Sequence, residues 1–129
     1  MADSKRALII DPSSMFRRTL KEVIQTSEPL VDVTEAPNAD LALDILQNQS
    51  PDVIFLDIAL PRGNGIEFIR RVKGISPDTR IVVLTSHDAT EQKEASLQQG
   101  ADLFLSKEGA VGLRLIDVIH ATLCPHGAA

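Results

Sequence analysis

Short apolar runs alternate with longer amphipathic stretches along this chain, and this alternation strongly restricts the possible folds. Apolar runs of strand length occur at residues 7–10, 30–36, 53–56, 81–84 and 102–106. The stretches that follow them place apolar residues at helical spacing, as at Phe16, Leu20, Val23 and Ile24. Strands that alternate with helices are typical of a parallel sheet covered by helices. The pattern predicts an α/β fold with five strands and five helices.

Polar and small residues mark several helix ends. Ser13 or Ser14 is suited to cap the first helix, and Asn38 can cap the second. The third helix is predicted from about Gly65 to residue 73, and Gly100 is well placed to end the fourth.

The fourth helix, predicted at residues 90–99, has the weakest apolar stripe. It offers only Ala95 and Leu97 for burial, so we expect it to be among the least stable elements. The second and last helices have clear stripes, formed by Leu41, Ala42, Ile45 and Leu46, and by Val111, Leu115, Val118, Ile119 and Leu123.

Length and composition indicate one globular domain. The chain has 129 residues, 43% of them apolar and 24% charged, which suits a protein with a packed core. We expect a single domain over residues 1–129, with a core at about 5–123 and a frayed tail at 124–129.

Charge and cysteine content argue against several classes of protein. The net charge is −5, and the pairs Arg17-Arg18 and Arg70-Arg71 fit solvated helix faces better than a nucleic-acid surface. One cysteine, Cys124, excludes an internal disulfide, and Cys124 with His126 is too few ligands for a zinc site. No signal peptide or membrane span is visible, so we expect a cytoplasmic location.

Polar side chains follow the apolar runs at one edge of the predicted sheet. Asp11, Asp57, Thr85 and Lys107 end the first, third, fourth and fifth strands, whereas Asp52 begins the third strand at the opposite edge. Ligands of open α/β sheets bind outside the carboxyl ends of the strands. A single polar residue after a strand is common, but four together predict a site. A carboxylate nucleophile, an ammonium and a hydroxyl suit phosphoryl transfer assisted by Mg²⁺.

Three segments of the chain resemble the receiver domain of two-component response regulators. Residues 51–65 resemble the phosphoacceptor segment, 83–86 the fourth strand with its switch hydroxyl, and 100–107 the fifth strand with its switch aromatic and lysine. The resemblance extends from about residue 6 to residue 123. It implies a flavodoxin-like (βα)5 three-layer sandwich with the strand order 2-1-3-4-5.

The resemblance also implies a phosphoacceptor site. Asp57 would receive a phosphoryl group from a phosphohistidine on a sensor histidine kinase or a phosphotransfer protein. Asp11, Asp57 and the backbone carbonyl of Ala59 would hold Mg²⁺, and Lys107 would pair with carboxylate or phosphoryl oxygens. The domain would catalyse only its own phosphorylation and dephosphorylation.

A switch would follow phosphorylation, again by resemblance. Thr85 would move toward the phosphoryl group, Phe104 would rotate inward, and the surface of the fourth helix, fifth strand and fifth helix would change. An ordinary half-buried core aromatic is an equally good interpretation of Phe104. The sequence names no kinase, stimulus, downstream protein target or oligomeric state; we favour a stand-alone receiver over an excised domain.

Three residues depart from the family pattern. Pro12 stands where a second acidic metal ligand is usual, so we expect weakened Mg²⁺ binding with phosphorylation retained. Glu108 replaces a frequent proline after the lysine, which predicts a trans peptide bond there. Ala59 replaces a commonly polar side chain that influences how long the phosphate lasts.

Other functions stay open beside the switch. Loss of the acidic residue at Pro12 is compatible with a receiver-like protein-binding module that works without phosphorylation. A flavodoxin-like cofactor enzyme is disfavoured because the loop at residues 11–14 lacks glycine and the chain lacks Trp and Tyr. A hydrolase has weak support, since His87, His120 and His126 have no evident nucleophile.

Overall fold

A computed structural model describes residues 5–60, 65–85, 90–107 and 113–123. Strands and helices alternate throughout these residues. Their bounds in chain order are β1 Arg6–Ile10, α1 Ser14–Ser27, β2 Asp32–Ala36, α2 Ala39–Leu46, β3 Val53–Leu56, α3 Gly65–Ile75, β4 Arg80–Thr85, α4 Thr90–Gln98, β5 Leu103–Ser106 and α5 Leu113–Leu123.

The five strands form one parallel sheet in the order β2-β1-β3-β4-β5. The register pairs Ile10 with Leu56, and Thr85 with Ser106. Parallel strands need a crossover through a helix, which explains the helix between each pair of successive strands. The predicted α/β fold and strand order are therefore confirmed.

Two apolar layers cover the two faces of the sheet. Residues of β1, β3 and β4 alternate between these layers, so that Phe55 packs toward α1 and α5 while Leu56 packs toward α2 and α3. Both faces are buried, and this is why the central strands are continuous apolar runs. β2 lies at the sheet edge and is buried fully only at Ala36, as its mixed sequence indicates.

The helix ends follow capping rules. The side chain of Ser13 accepts a hydrogen bond from the backbone N–H of Phe16 at 3.1 Å, so Ser13 is the N-cap of α1. Asn38 caps α2 in the same way, as predicted. Gly100 follows α4 with a φ of 121°, a conformation that L side chains disfavour. A Cβ at Gly100 would also lie 2.8 Å from Cγ of Lys73.

Two local expectations are wrong. β2 begins at Asp32 rather than at residue 30, because Leu30 lies in the preceding turn with 82% of its surface exposed. Among the α4 side chains whose burial the structure describes, Ser96 is the buried one at 0% exposure, whereas Leu97 is 40% exposed. A nine-residue helix with so little apolar surface cannot aim a regular stripe at the sheet, so a small polar side chain makes the close contact.

The remaining parts of the chain carry only sequence predictions. Val111, the tail at 124–129 with Cys124 and His126, and the peptide bond before Glu108 lie outside the described residues. Among the helices that the structure describes, none is long and apolar enough to cross a membrane.

Candidate functional site

The ends of β1 and β3 lie side by side and bring two aspartates together. The backbone N–H of Asp57 donates to the carbonyl of Ile10 at 3.0 Å, and that of Asp11 donates to the carbonyl of Ala36 at 3.1 Å. These bonds continue the parallel ladder one residue beyond each strand. Both side chains are buried, with 3% and 8% exposure for Asp11 and Asp57.

Lys107 bridges the two carboxylates. Its Nζ lies 2.7 Å from Oδ2 of Asp11 and 3.1 Å from Oδ2 of Asp57, and its side chain is 15% exposed. Since one ammonium contacts both oxygens, the two oxygens are no further apart than the sum of these distances. Two buried negative charges therefore share one positive charge, which leaves the cluster net negative.

Backbone donors hold the other oxygen of each carboxylate. The N–H of Ser13 donates to Oδ1 of Asp11 at 2.9 Å, and the N–H of Ala59 donates to Oδ1 of Asp57 at 2.9 Å. Each donor lies two residues after its acceptor, which is a local turn in which an aspartate binds its own backbone. These turns fix the direction of both carboxylates before any ligand binds.

The environment of Lys107 favours its charged form. Burial alone lowers the pKa of the ammonium, but hydrogen bonds and Coulomb attraction from Asp11 and Asp57 outweigh it. The net result is a pKa above the ordinary value of 10.5. Lys107 is therefore a permanent cation at neutral pH.

Thr85 and Phe104 lie on the neighbouring strands. Thr85 is the last residue of β4 and is 2% exposed, next to Ser106, which directly precedes Lys107. Phe104 is partly buried against the apolar layer between the sheet and α2 and α3. Their predicted switch roles stay predictions, and the position of Phe104 is compatible with both of its interpretations.

Asp52 lies at the opposite edge of the sheet, as its position before β3 predicts. Its carboxylate accepts from the backbone N–H of Arg6 at 2.8 Å and lies 3.9 Å from Nζ of Lys5. With 38% of its side chain exposed, it belongs to the solvated amino-terminal edge.

The donor set fits a hard cation only at its minimum. No group of three or more His, Cys, Asp or Glu suited to a metal occurs among the described residues. Asp11 and Asp57 supply two carboxylates, and Pro12 between Asp11 and Ser13 supplies none. Mg²⁺ binds through one or two carboxylates together with phosphate and water oxygens, so these two residues meet its lower requirement.

Two neighbours of the site were not predicted. Arg17, expected on a solvated face, is 15% exposed; it donates to the backbone carbonyl of Asp11 at 2.6 Å and to Glu35 at 3.0 Å. The ring centroid of Phe16, expected only as core, lies 4.2 Å from Nζ of Lys107. Position in the first helical turn after Asp11 was the available signal, but helical spacing alone does not tell which of these side chains turns toward the strand ends.

The chain is similar both to a protein family as a whole and to individual proteins of known sequence. The family model described as the response regulator receiver domain matches residues 7–119. A protein-glutamate methylesterase/protein-glutamine glutaminase of Burkholderia thailandensis is 37% identical over 103 residues, which cover 79% of this chain and 29% of that protein. The response regulator MprA of Mycobacterium tuberculosis is 32% identical over 108 residues, covering 84% and 46%. The chain thus spans less than half the length of these relatives.

The solved structures that this chain resembles include response regulators as well. A response regulator of Burkholderia pseudomallei, crystallised with a phosphorylated aspartic acid, a calcium ion and citrate, superposes with a TM-score of 0.80 at 26% identity, covering 97% of this chain and 69% of that one. The chemotaxis protein CheY4 of Vibrio cholerae superposes with a TM-score of 0.80 at 25% identity, covering 94% and 100%.

Proposed function

The chain belongs to the response regulator receiver domain family, and from this membership we propose that it is a phosphorylation switch whose phosphoacceptor is Asp57. The observation that carries the proposal is the contact of a buried carboxylate with a partly buried ammonium at the carboxyl edge of the sheet, 3.1 Å between Asp57 and Lys107. Receiver domains of two-component systems receive their signal by phosphorylation of an aspartate. We extend this mode of signalling to this chain.

The proposed reaction moves one phosphoryl group. A carboxylate oxygen of Asp57 forms a bond to phosphorus while the bond from phosphorus to the imidazole nitrogen of a phosphohistidine breaks, and the imidazole leaves with the bonding electron pair. The donor would be a sensor histidine kinase or a histidine phosphotransfer protein. Burial supports the nucleophilic role, because a carboxylate that is 8% exposed has little hydration to lose.

Charge compensation falls to Lys107 and a metal ion. Lys107 would pass from Oδ2 of Asp57 to a phosphoryl oxygen, and Thr85 would donate a hydrogen bond to the same group. Asp11, Asp57 and the carbonyl of Ala59 would hold Mg²⁺, which supplies neutralisation of the phosphoryl charge when bound. We expect weak affinity, since Pro12 offers no carboxylate and Lys107 already binds both aspartates.

The proposed output is a change of the surface formed by α4, β5 and α5. The first support is that α4 contributes no residue to either apolar layer among the described residues. The second is the buried hydroxyl of Ser96, which has no hydrogen-bond partner within the described part of the chain. Both features lower the cost of moving this helix. Phe104 on β5 would couple that movement to Thr85.

Intact-mass measurement after incubation with acetyl phosphate and Mg²⁺ tests the proposal. We expect an adduct of one phosphoryl group on the wild-type protein and none on Asp57→Asn. Asp52→Asn is the matched control, because it makes the same change at the other end of β3 and should keep the adduct. An adduct that survives Asp57→Asn would contradict the assignment of the phosphoacceptor.

A phosphorylation-independent binding module is the second candidate function, and Pro12 is the observation that favours it. In this case the charge of Lys107 would offset part of the charge of Asp11 and Asp57 without a phosphoryl group. Absence of any adduct across a full range of Mg²⁺ concentrations would favour this module over the switch.

A further inference from the structure

We propose that Phe16 is a positioning residue that holds the ammonium of Lys107 in the phosphoacceptor site through the face of its ring. The proposal rests on the proposed phosphoryl-transfer function and adds a residue to it. Its starting observation is the separation of 4.2 Å between Nζ of Lys107 and the ring centroid of Phe16. A cation within about 6 Å of an aromatic centroid is attracted by the negative face of the ring.

The three contacts of Lys107 occupy different sides of its ammonium. The carboxylates of Asp11 and Asp57 take two hydrogen-bond directions, at 2.7 and 3.1 Å, and the Phe16 ring covers a further side. An ammonium has three donors and a long flexible stem, so two carboxylates alone leave it free to swing toward water. The ring opposes this movement without forming a bond that must later be broken.

A closed circuit of contacts links the backbone of Phe16 to Lys107 and Asp11. The N–H of Ser13 binds Oδ1 of Asp11, the hydroxyl of Ser13 accepts from the N–H of Phe16, and the Phe16 ring contacts Lys107, which returns to Oδ2 of Asp11. Each link joins groups that belong either to the site or to the first turn of α1. The ring itself also packs against the apolar layer between the sheet, α1 and α5, so this layer holds the ring while the circuit holds the backbone that carries it.

Pro12 lies within this circuit and stiffens it. Proline has a fixed φ and restricts the preceding residue to extended backbone, so the turn from Asp11 to Ser13 has few alternative conformations. The contact of Arg17 with the carbonyl of Asp11 secures the same turn from the helix side. Pro12 therefore has two effects on the site. It supplies no carboxylate for a metal, and it restricts the turn that helps to position the ammonium of Lys107.

The consequence for phosphoryl transfer is a matter of placement. When Asp57 receives a phosphoryl group, Lys107 must leave Oδ2 and contact a new oxygen close by. Because the ring keeps Nζ between the two strand ends, the ammonium needs to move only a short distance from Oδ2 of Asp57 to the phosphoryl oxygen. We expect loss of the ring face to slow phosphoryl uptake about fivefold, the size of one partly desolvated cation–π contact.

Fluorinated phenylalanines at position 16 test the proposal with little change of shape. One, two and three ring fluorines withdraw electron density stepwise from the face that meets Lys107, so the uptake rate from acetyl phosphate should fall stepwise. The same substitutions at Phe68, a buried ring on α3, are the matched control and should leave the rate unchanged. Phe16→Tyr keeps a ring face and should retain the uptake rate, whereas Phe16→Leu should lower it about fivefold.

A spectroscopic measurement separates this inference from the proposed function. Protons above an aromatic ring are shielded, so the Lys107 side-chain resonances should be shifted upfield in the wild-type protein and released in Phe16→Leu. Unshifted Lys107 resonances, or a rate that ignores the fluorines while the wild-type protein is phosphorylated, would overturn the role of Phe16. If the wild-type protein takes up no phosphate but the resonances follow the fluorines, the positioning holds and the phosphorylation proposal fails.

Discussion

Both edges of the sheet carry aspartate and lysine side chains in contact, but the two edges differ in how far these side chains are buried. At the carboxyl edge, the side chains of Asp11, Asp57 and Lys107 are 3%, 8% and 15% exposed, and Nζ of Lys107 lies 2.7 and 3.1 Å from the carboxylates of Asp11 and Asp57. At the amino edge, Lys5 and Asp52 are 34% and 38% exposed and 3.9 Å apart. Water screens the second pair more strongly than the first, so burial rather than residue type distinguishes the electrostatics of the two edges.

Buried polar groups at the amino edge are neutral and satisfied. The hydroxyl of Thr79 donates to the carbonyl of Pro51 at 2.7 Å and lies 2.6 Å from the hydroxyl of Ser76. Each group finds a partner inside the cluster, and no charge is left over. This edge therefore contributes to stability, whereas the carboxyl edge keeps an uncompensated negative charge that suits cation and phosphoryl chemistry.

The largest expected difference between the edges concerns their lysines. Lys107→Met leaves two buried carboxylates side by side, so we expect it to lower the free energy of unfolding by about 3 kcal/mol. Lys5→Met removes an exposed partner and should cost less than about 0.5 kcal/mol. Urea denaturation of both variants without added divalent cations measures the difference; equal losses would show that burial does not distinguish the two edges.

The same lysine predicts a pH dependence at the alkaline end. The folded-state pKa of Lys107 is raised above 10.5, so its stabilising contribution is complete below that unfolded-state value. It is lost as the pH rises through the higher folded-state pKa. The stability gap between wild type and Lys107→Met should stay constant from about pH 7 to about pH 10 and narrow above it. A gap that closes at neutral pH would contradict the raised pKa.

Removing a neutral hydroxyl at the amino edge should have a smaller effect. Thr79→Val leaves the carbonyl of Pro51 and the hydroxyl of Ser76 without their buried partner, which should cost about 2 kcal/mol. Thr79→Ser keeps the hydroxyl and should cost less than half as much. Thermal unfolding gives the stabilities, and an unchanged rate of phosphoryl uptake would separate this cluster from the proposed site.

A carboxylate added to each edge gives the smallest expected change. Pro12→Asp supplies a third acidic group beside Asp11 and Asp57, so we expect Mg²⁺ to bind about tenfold more tightly, or about 1.4 kcal/mol. Pro77→Asp makes the same change at the exposed amino edge and should leave the affinity unchanged. Calorimetric titration measures the Mg²⁺ affinities of the three proteins. Equal affinity of Pro12→Asp and wild type would refute the expected weakening by Pro12.

Helix and strand positions were predictable because they depend on local patterns. Continuous apolar runs such as residues 53–56 need burial on both faces, and that requirement gives a parallel sheet with helices on each side. The errors fall where the pattern is weak: Leu30 before β2, and Leu97 on α4, whose polar sequence left no stripe to orient the helix.

The sequence by itself determined that acidic, hydroxyl and ammonium groups would follow the strands of one sheet edge, because strand ends are set by where apolar runs stop. Only the tertiary structure decided that the ammonium of Lys107 contacts both Asp11 and Asp57. It also decided that the ring of Phe16 faces this ammonium. Lys107 and Asp57 are 50 residues apart. Contacts at that separation depend on side-chain directions that packing selects, and no local pattern in the chain encodes them.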